Sequence, residues 1–573
     1  MPQILNTDLI ENDLRLDGQQ PCGRLEWLEE SHRNIQDFWH ALKSTYDSFF
    51  DISGASVLFN KYNFYHDIIT RNRNNTAPAL CLYDLAAGFR EISYSQLSTM
   101  AAAKASVWAR LGLRPKETLC IIRHMGLDLT VDLLAALKTG CIISFLPPQG
   151  KGFLERRLEA LKPDHIVINE QYLSLLPAWT EHVLAENQAE EGAHRETERF
   201  YVYPSGQAVF SCFDPCSDTP WLPADITSDA AYLCALRDGI IGLGLGPGQV
   251  YAAPGFHLLE NQPALLLAGL LCGATYLHLL PKDIAANTEL VTQRSIKSFG
   301  VSKRVRDILL ESPVNAGNLW ECWFRNPAES SDMEQWQLFV RDLKLENAYG
   351  FNLKWDATLG GCSFFSVRRK GMAHMNVLPA PGSAWMLTDP SGGDFEAVGD
   401  SGIFCISAPG AQEEEMRATA GIIAGNRGEW IFAGTNNISR EGRAYPVDEI
   451  LETLLKMQSR FTFWCSITEV PLADAGSGSR IVLLVFTGGR TNIDEAVLMS
   501  KIREVIAEEM GDEFQPDRIV FFPLYPRFLT GMEVDHDWCG SRYLAGTLFR
   551  RSRGELFRCI TRLRACIFQA GAA

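Results

Sequence analysis

From Phe64 onward the chain repeats one pattern, an amphipathic helical stretch followed by a short apolar strand, and this alternation narrows the fold more than any single motif. "FYHDIITRN" has helical periodicity and "PALCLYD" reads as strand. "YSQLSTMAAAKASVWARLGL", "DLTVDLLAALKTG" and "FLERRLEAL" are then helices, separated by the strands "ETLCIIR" and "CIISFL" and closed by "HIVIN". Strands spaced by helices of this length pair in parallel with right-handed crossovers. A second run of the same kind extends from "DAAYLCAL" through "GQVYAAP", "PALLLAGLLCGATYLHL" and "LWECWF" to "ENAYG".

The period changes between Phe364 and Gly434, where short strands such as "GIFCISAPG" and "GEWIFAG" are set off by Pro and Gly, as in an antiparallel or barrel-like subdomain. The tail from "YPVDEILETLLKM" reads helix, strand, strand, helix, strand, a compact α+β unit. The expected fold class is therefore α/β: a large domain over 61–433 made of two parallel α/β subdomains and a small β-rich one. An N-terminal extension over 1–60 precedes it, and a small C-terminal α+β domain over 434–573 follows.

Charge and hydropathy exclude several classes. Lys and Arg number 53 against 69 Asp and Glu, a formal net charge of -16 with no dense basic block, which argues against nucleic acid or an anionic lipid surface as partner. The apolar runs "LTVDLLAALKTGCIISFLPP" and "PALLLAGLLCGATYLHLL" are broken by Asp, Lys, Gly, Pro or His, so no membrane span is expected. "MPQILNTDLIENDLRLDG" carries acids where a signal peptide needs a basic and an apolar region, and the expected location is the cytoplasm. The 15 cysteines are scattered, with only Cys212 and Cys216 close together, so neither a disulfide framework nor a metal site is expected.

"GIIGLGLGPGQVYAAPGFHLLEN", Gly239 to Asn261, has the look of a phosphate-cradling loop. Its glycines fit neither G-x-G-x-x-G nor G-x-x-x-x-G-K-S/T, so it is read as a loop leading into a buried strand.

The order of elements, with several short stretches, resembles the adenylate-forming superfamily of acyl-CoA synthetases, luciferases and peptide-synthetase adenylation domains. The stretches are "DFWHALKSTYDSFFD", "EISYSQL", "LGLGPGQVYAAPGFH", "ENAYGF", "GMAHMNVLPAPGSAWMLTDPSG" and "EGRAYPVDEILETLL", and the likeness runs from about Phe38 to Cys559. The resemblance implies ATP and Mg²⁺ as cofactors, yet the positions that would hold them are altered. The phosphate loop, which in the family stands upstream of "GLGLGPG", is not found, and with its flank roughly 30 residues are expected to be missing. In the Tyr-Gly motif, Asn352 and Leu353 stand for the family's Thr and Glu, and Leu353 has no oxygen for a hard cation. Ala420 stands near the place of the ribose-binding Asp, Thr435 begins the altered hinge, and Met532 replaces the Lys of the adenylation step.

The acyl-pocket positions are better kept: the resemblance places His257, Tyr349 and Gly350 there. No catalytic residue is assigned; His257, and His536 within "EVDHDWC", are the candidates, the latter in what reads as a solvated loop. Three functions follow from this pattern. One is a pseudoenzyme that binds an acyl thioester, a carrier protein or a partner enzyme in fatty-acid, polyketide or peptide biosynthesis. Another is an ATP-independent acyltransferase between CoA and carrier-protein thioesters, and the third an atypical ATP-dependent ligase. ATP and Mg²⁺ are not expected as cofactors, which leaves CoA or phosphopantetheine.

Overall fold

In a computed structural model of the chain, the described residues are 22–50, 60–184, 200–217, 219–329, 332–388, 401–409, 416–424, 430–434, 438–440, 443–457, 463–471, 479–488, 494–530 and 533–549. They form two compact units. The larger comprises 1–148 with 156–443, the smaller 149–155 with 444–573.

The first sheet of the larger unit follows from the apolar runs of the first α/β repeat. Its strands are β3 (Thr118–Ile122), β4 (Ile142–Leu146), β5 (His165–Ile168), β6 (Val183–Leu184), β7 (Ala208–Phe213) and β8 (Pro223–Thr227), in the order β8-β7-β4-β3-β5-β6. All pairs are parallel except the edge hairpin β7–β8. The eight-stranded second sheet begins with β1 (Pro78–Asp84) and β2 (Gly88–Ser93). It continues with β9 (Val250–Ala252), β10 (Thr275–His278), β11 (Ile296–Gly300), β12 (Trp320–Arg325), β13 (Tyr349–Asn352) and, later in the chain, β16 (Arg369–Lys370). Its order is β16-β13-β12-β11-β9-β10-β1-β2, parallel throughout the centre with an antiparallel strand at each edge.

The helices between these strands are set by local signals. α2 (Tyr94–Arg110) starts at a reciprocal cap in which Ser93 Oγ accepts from Gln96 N at 3.1 Å and Gln96 Oε1 from Ser93 N at 2.8 Å. α3 (Leu127–Thr139) stops at Gly140, whose φ of 92° is left-handed and where a Cβ would strike the Tyr201 ring. The stretch 1–60 set apart in the sequence is not wholly peripheral: α1 (Ile35–Ser48) sends Phe38, Trp39, Leu42 and Tyr46 into the main core of the larger unit.

The β-rich subdomain is a seven-stranded antiparallel sheet of β14 (Lys354–Asp356), β15 (Gly361–Phe365), β17 (Asn376–Pro379), β18 (Trp385–Thr388), β19 (Ser401–Ile406), β20 (Arg417–Ala424) and β21 (Trp430–Gly434), in the order β14-β15-β17-β21-β20-β19-β18. The smaller unit has the element order read from the sequence: a helix Val447–Lys456, β22 (Trp464–Pro471), β23 (Ser479–Phe486), a helix Glu495–Glu509 and β24 (Arg518–Phe522), with a further helix His536–Leu544. No helix among the described residues is long and apolar enough to cross a membrane.

Candidate functional site

In open α/β sheets, ligands gather beyond the carboxyl ends of the parallel strands. In the eight-stranded sheet those ends include the 253–261 loop after β9, Arg325 as the last residue of β12 and Asn352 as the last residue of β13.

Asn352 is the hub of a buried polar network. Its Nδ2 donates to the carbonyls of His374 and Asn376, each at 2.9 Å, and its Oδ1 accepts from Arg325 Nε at 3.1 Å. Arg325, with 0% of its surface exposed, also donates to His374 O at 2.9 Å and lies 5.0 Å from the Trp336 ring centre. Burial pulls its guanidinium down to about 9, with Glu329 opposing and Arg306 adding, so it stays charged at neutral pH. Burial, with Arg369 and Arg325 adding, lowers His374 to about 3; its ring is neutral, and Nε2 donates to Val367 O at 3.1 Å. Leu353 is in the core, 1% exposed. Nothing in the sequence singled out Arg325, because a lone arginine at a strand end carries no motif.

The 253–261 loop is pinned on itself. His257 N donates to Asn261 Oδ1 at 3.2 Å, His257 O accepts from Asn261 N and Gln262 N, and Gln262 Nε2 donates to Ala253 O at 3.1 Å. Tyr349 lies level with Tyr251 through the register Tyr251–Ser298–Cys322–Tyr349, three strand spacings or roughly 14 Å away. His257 follows Tyr251 by six residues and lies in the loop beyond the end of its strand. Gly350 has a packing reason to be glycine: a Cβ there would come within 2.5 Å of Met372 O and 2.7 Å of the Trp323 ring.

The stretch from Gly239 begins within a buried π-helical turn, Asp238–Gly242, and only after it runs through a loop into strand β9. The helix α4 (Ser228–Arg237), capped by Thr227, directly follows the β7–β8 hairpin, whose turn runs through "DPCSDTPWL".

Behind this turn lies a half-buried charged cluster. Asp214 caps the turn, its Oδ1 accepting from Cys216 N at 2.9 Å. Burial pushes the Asp214 carboxyl up to about 7; Asp356 and Glu260 add to this, while the Cys216 N–H and Lys354 oppose it. Lys354, 7% exposed, donates to Trp355 O at 2.8 Å. Burial alone would lower it, but Cys216, Glu260, Asp356 and Asp214 outweigh that and hold it above its usual value.

In the smaller unit, "EVDHDWC" runs into a helix that begins at His536; Glu533, His536 and Asp537 are exposed, so the stretch is solvated as read but helical from His536 on. Asp535 caps it by accepting from Trp538 N at 2.9 Å, Cys539 is buried, and His536 Nδ1 shares a 3.0 Å hydrogen bond with Ser466 Oγ. Ser466 is 0% exposed, out of a substrate's reach. Ala420 lies on β20 opposite Phe404, while Thr435 and Met532 fall outside the described residues.

The architecture is that of adenylate-forming enzymes. The chain is similar to o-succinylbenzoate CoA synthetase from Bacillus subtilis, with a TM-score of 0.66 and 11% identity over 83% of this chain and 98% of that one. It is also similar to NpsA-ThdA, an artificially fused adenylation-PCP di-domain NRPS from Klebsiella oxytoca, with a TM-score of 0.64 and 12% identity over 81% and 94%. Acetoacetyl-CoA synthetase from Streptomyces lividans matches with a TM-score of 0.60 and 16% identity over 93% of both chains. No family model matches the sequence, and no curated protein matches it as a relative. At these identities the likeness defines the fold; the chemistry has to come from the residues.

Proposed function

We propose that this chain is a degenerate member of the adenylate-forming class, unable to adenylate, that binds an acyl thioester or carrier protein as an accessory component of a fatty-acid, polyketide or peptide biosynthetic pathway. The observation that carries the reading is the Arg325–Asn352–His374 network. Asn352 spends its side chain on Arg325 and two backbone carbonyls, and Arg325 fills the strand end beside it. Leu353 next to it offers a core methyl group where Mg²⁺ would need oxygen.

The β7–β8 turn adds to this. A triphosphate needs backbone N–H groups and free cations, whereas the turn itself has no lysine or arginine; the two arginines packed on it are engaged with it, Arg156 over the Trp221 ring and Arg157 donating to Pro220 O, and Asp214, Glu260 and Asp356 lie behind it with Lys354. The residues present do not fit ATP·Mg²⁺. CoA or phosphopantetheine remains as cofactor. The neighbour from Klebsiella oxytoca, an adenylation domain joined to a PCP, supports a carrier protein as partner.

The test is to titrate the chain with acyl-pantetheine thioesters and with a loaded carrier protein, with and without ATP·Mg²⁺. Binding that ATP·Mg²⁺ leaves unchanged is expected. Formation of an acyl adenylate from a free carboxylic acid would overturn the reading.

A further inference from the structure

In the smaller unit an aromatic row crosses the three-stranded sheet. Trp464 on β22 is the register partner of Phe486 on β23, and Phe486 that of Phe522 on β24. The three lie on one face, since Phe486 and Phe522 belong to a single core cluster against which Trp464 packs. The cover on this face is the helix His536–Leu544, nine residues and so about 13 Å long, which packs on the edge strand β22 and meets the cluster through Cys539 and Tyr543. Gly546, with φ at 66°, turns the chain back, so that Leu548 is buried and the Phe549 ring lies 5.3 Å from Phe522 and 5.5 Å from Tyr543. At the other end of the row, Tyr525 and Phe528 lie 5.2 and 5.8 Å from the Trp464 ring.

Apolar surface stays open at both ends of this band. Leu544 and Phe549 are 54% and 40% exposed on the Phe522 side, and Tyr525 and Leu529 are 61% and 51% exposed on the Trp464 side. Large apolar side chains that flank one face at both ends mark a surface to be covered.

The chain itself supplies a cover. Residues 550–573 lie outside the described residues, but their sequence has helical periodicity. Leu556, Ile560, Leu563 and Ile567 recur at spacings of four, three and four, and Arg558 and Arg562 fall on the other side of that period. Charge is complementary: 550–564 carry six arginines and one glutamate, whereas 444–549 carry 16 Asp and Glu against nine Lys and Arg. One of those acids, the exposed Glu533, is paired with Leu529 at the rim of the band, its carbonyl accepting from Leu529 N at 2.8 Å. The tail starts at Phe549, beside Phe522, and the residues 550–555, with Gly554 among them, reach up to about 20 Å, enough to bring Leu556 back over the row.

We propose that 556–568 docks on this aromatic row as an amphipathic helix, with Leu556, Ile560, Leu563 and Ile567 against the band and the arginines turned toward the acidic rim. Such a helix is about 20 Å long and the row about 10 Å from Trp464 to Phe522, so it spans the row with about one turn beyond each end. The occupant is this chain's own tail rather than a second copy or a lipid surface, because so short a tether holds the segment at about millimolar effective concentration. The proposal stands apart from the reading above, since it invokes neither nucleotide nor thioester chemistry.

The test is hydrogen–deuterium exchange of the full chain, read by mass spectrometry. The amides of 556–568 are expected to exchange at least about tenfold more slowly than in a free peptide of the sequence 550–573. Leu563→Asp, in the tail, should return them to the peptide rate. So should Leu544→Asp combined with Tyr525→Asp, which alters only the face; both side chains are more than half exposed, and thermal melts check that the variant folds. Peptide-like exchange in the parent, or protection that the face variant leaves intact, overturns the proposal. Protection that grows with chain concentration, as for a second copy, or that appears only with phosphatidylserine vesicles, as for a lipid surface, overturns it as well. None of these readouts uses ATP or a thioester, so their failure would leave the loss of adenylation and the accessory role untouched.

Discussion

Arg325 and Asn352 are register partners on adjacent parallel strands, and their side chains meet as well as their backbones: Arg325 Nε donates to Asn352 Oδ1 at 3.1 Å. This contact occupies the carboxyl end of the sheet, where an open α/β fold would otherwise receive a ligand.

Asn352→Ala should therefore behave as a core mutation. It leaves the buried Arg325 Nε without its acceptor and removes two donors from the carbonyls of His374 and Asn376. A loss of about 3 kcal/mol is expected in chemical denaturation of the full chain. A loss near zero would show that the network is not structural.

Restoring the acid should not restore the chemistry. Leu353 is 1% exposed within the main core, so Leu353→Glu buries a carboxylate with no cation built for it. A destabilisation of at least about 3 kcal/mol is expected, with no gain of ATP·Mg²⁺ binding by calorimetry.

Asp214 gives a pH signature. Its carboxyl is raised from 3.8 to about 7, chiefly by burial, so the folded chain holds a proton there that the unfolded chain has lost. Stability from this group is complete below the unfolded value and falls as pH rises toward 7. Asp214→Asn removes the titration, so the variant should gain on the parent between pH 5 and pH 8, by about 2 °C in Tm. An offset that is constant across that range would contradict the assignment.

The alternation of helix and apolar strand made the parallel sheets legible, because burial on both faces writes itself as short apolar runs. The period change marked the antiparallel subdomain for the same reason, although its first strand starts at Lys354 and the units divide after Arg443, not after 433. The sequence could not bring Asp214, Glu260, Lys354 and Asp356 together, since they lie up to 142 positions apart and meet only through the fold. His536 looked chemical beside Asp535 and Cys539, but one caps a helix and the other is buried beneath it.

The most direct measurement of the central claim is calorimetric titration of the purified full chain with ATP·Mg²⁺, backed by a ligand-induced thermal shift. The account predicts no saturable heat and no change in Tm. Saturable binding in the micromolar range would contradict it, and would mean that Arg325 and the β7–β8 turn yield to a nucleotide.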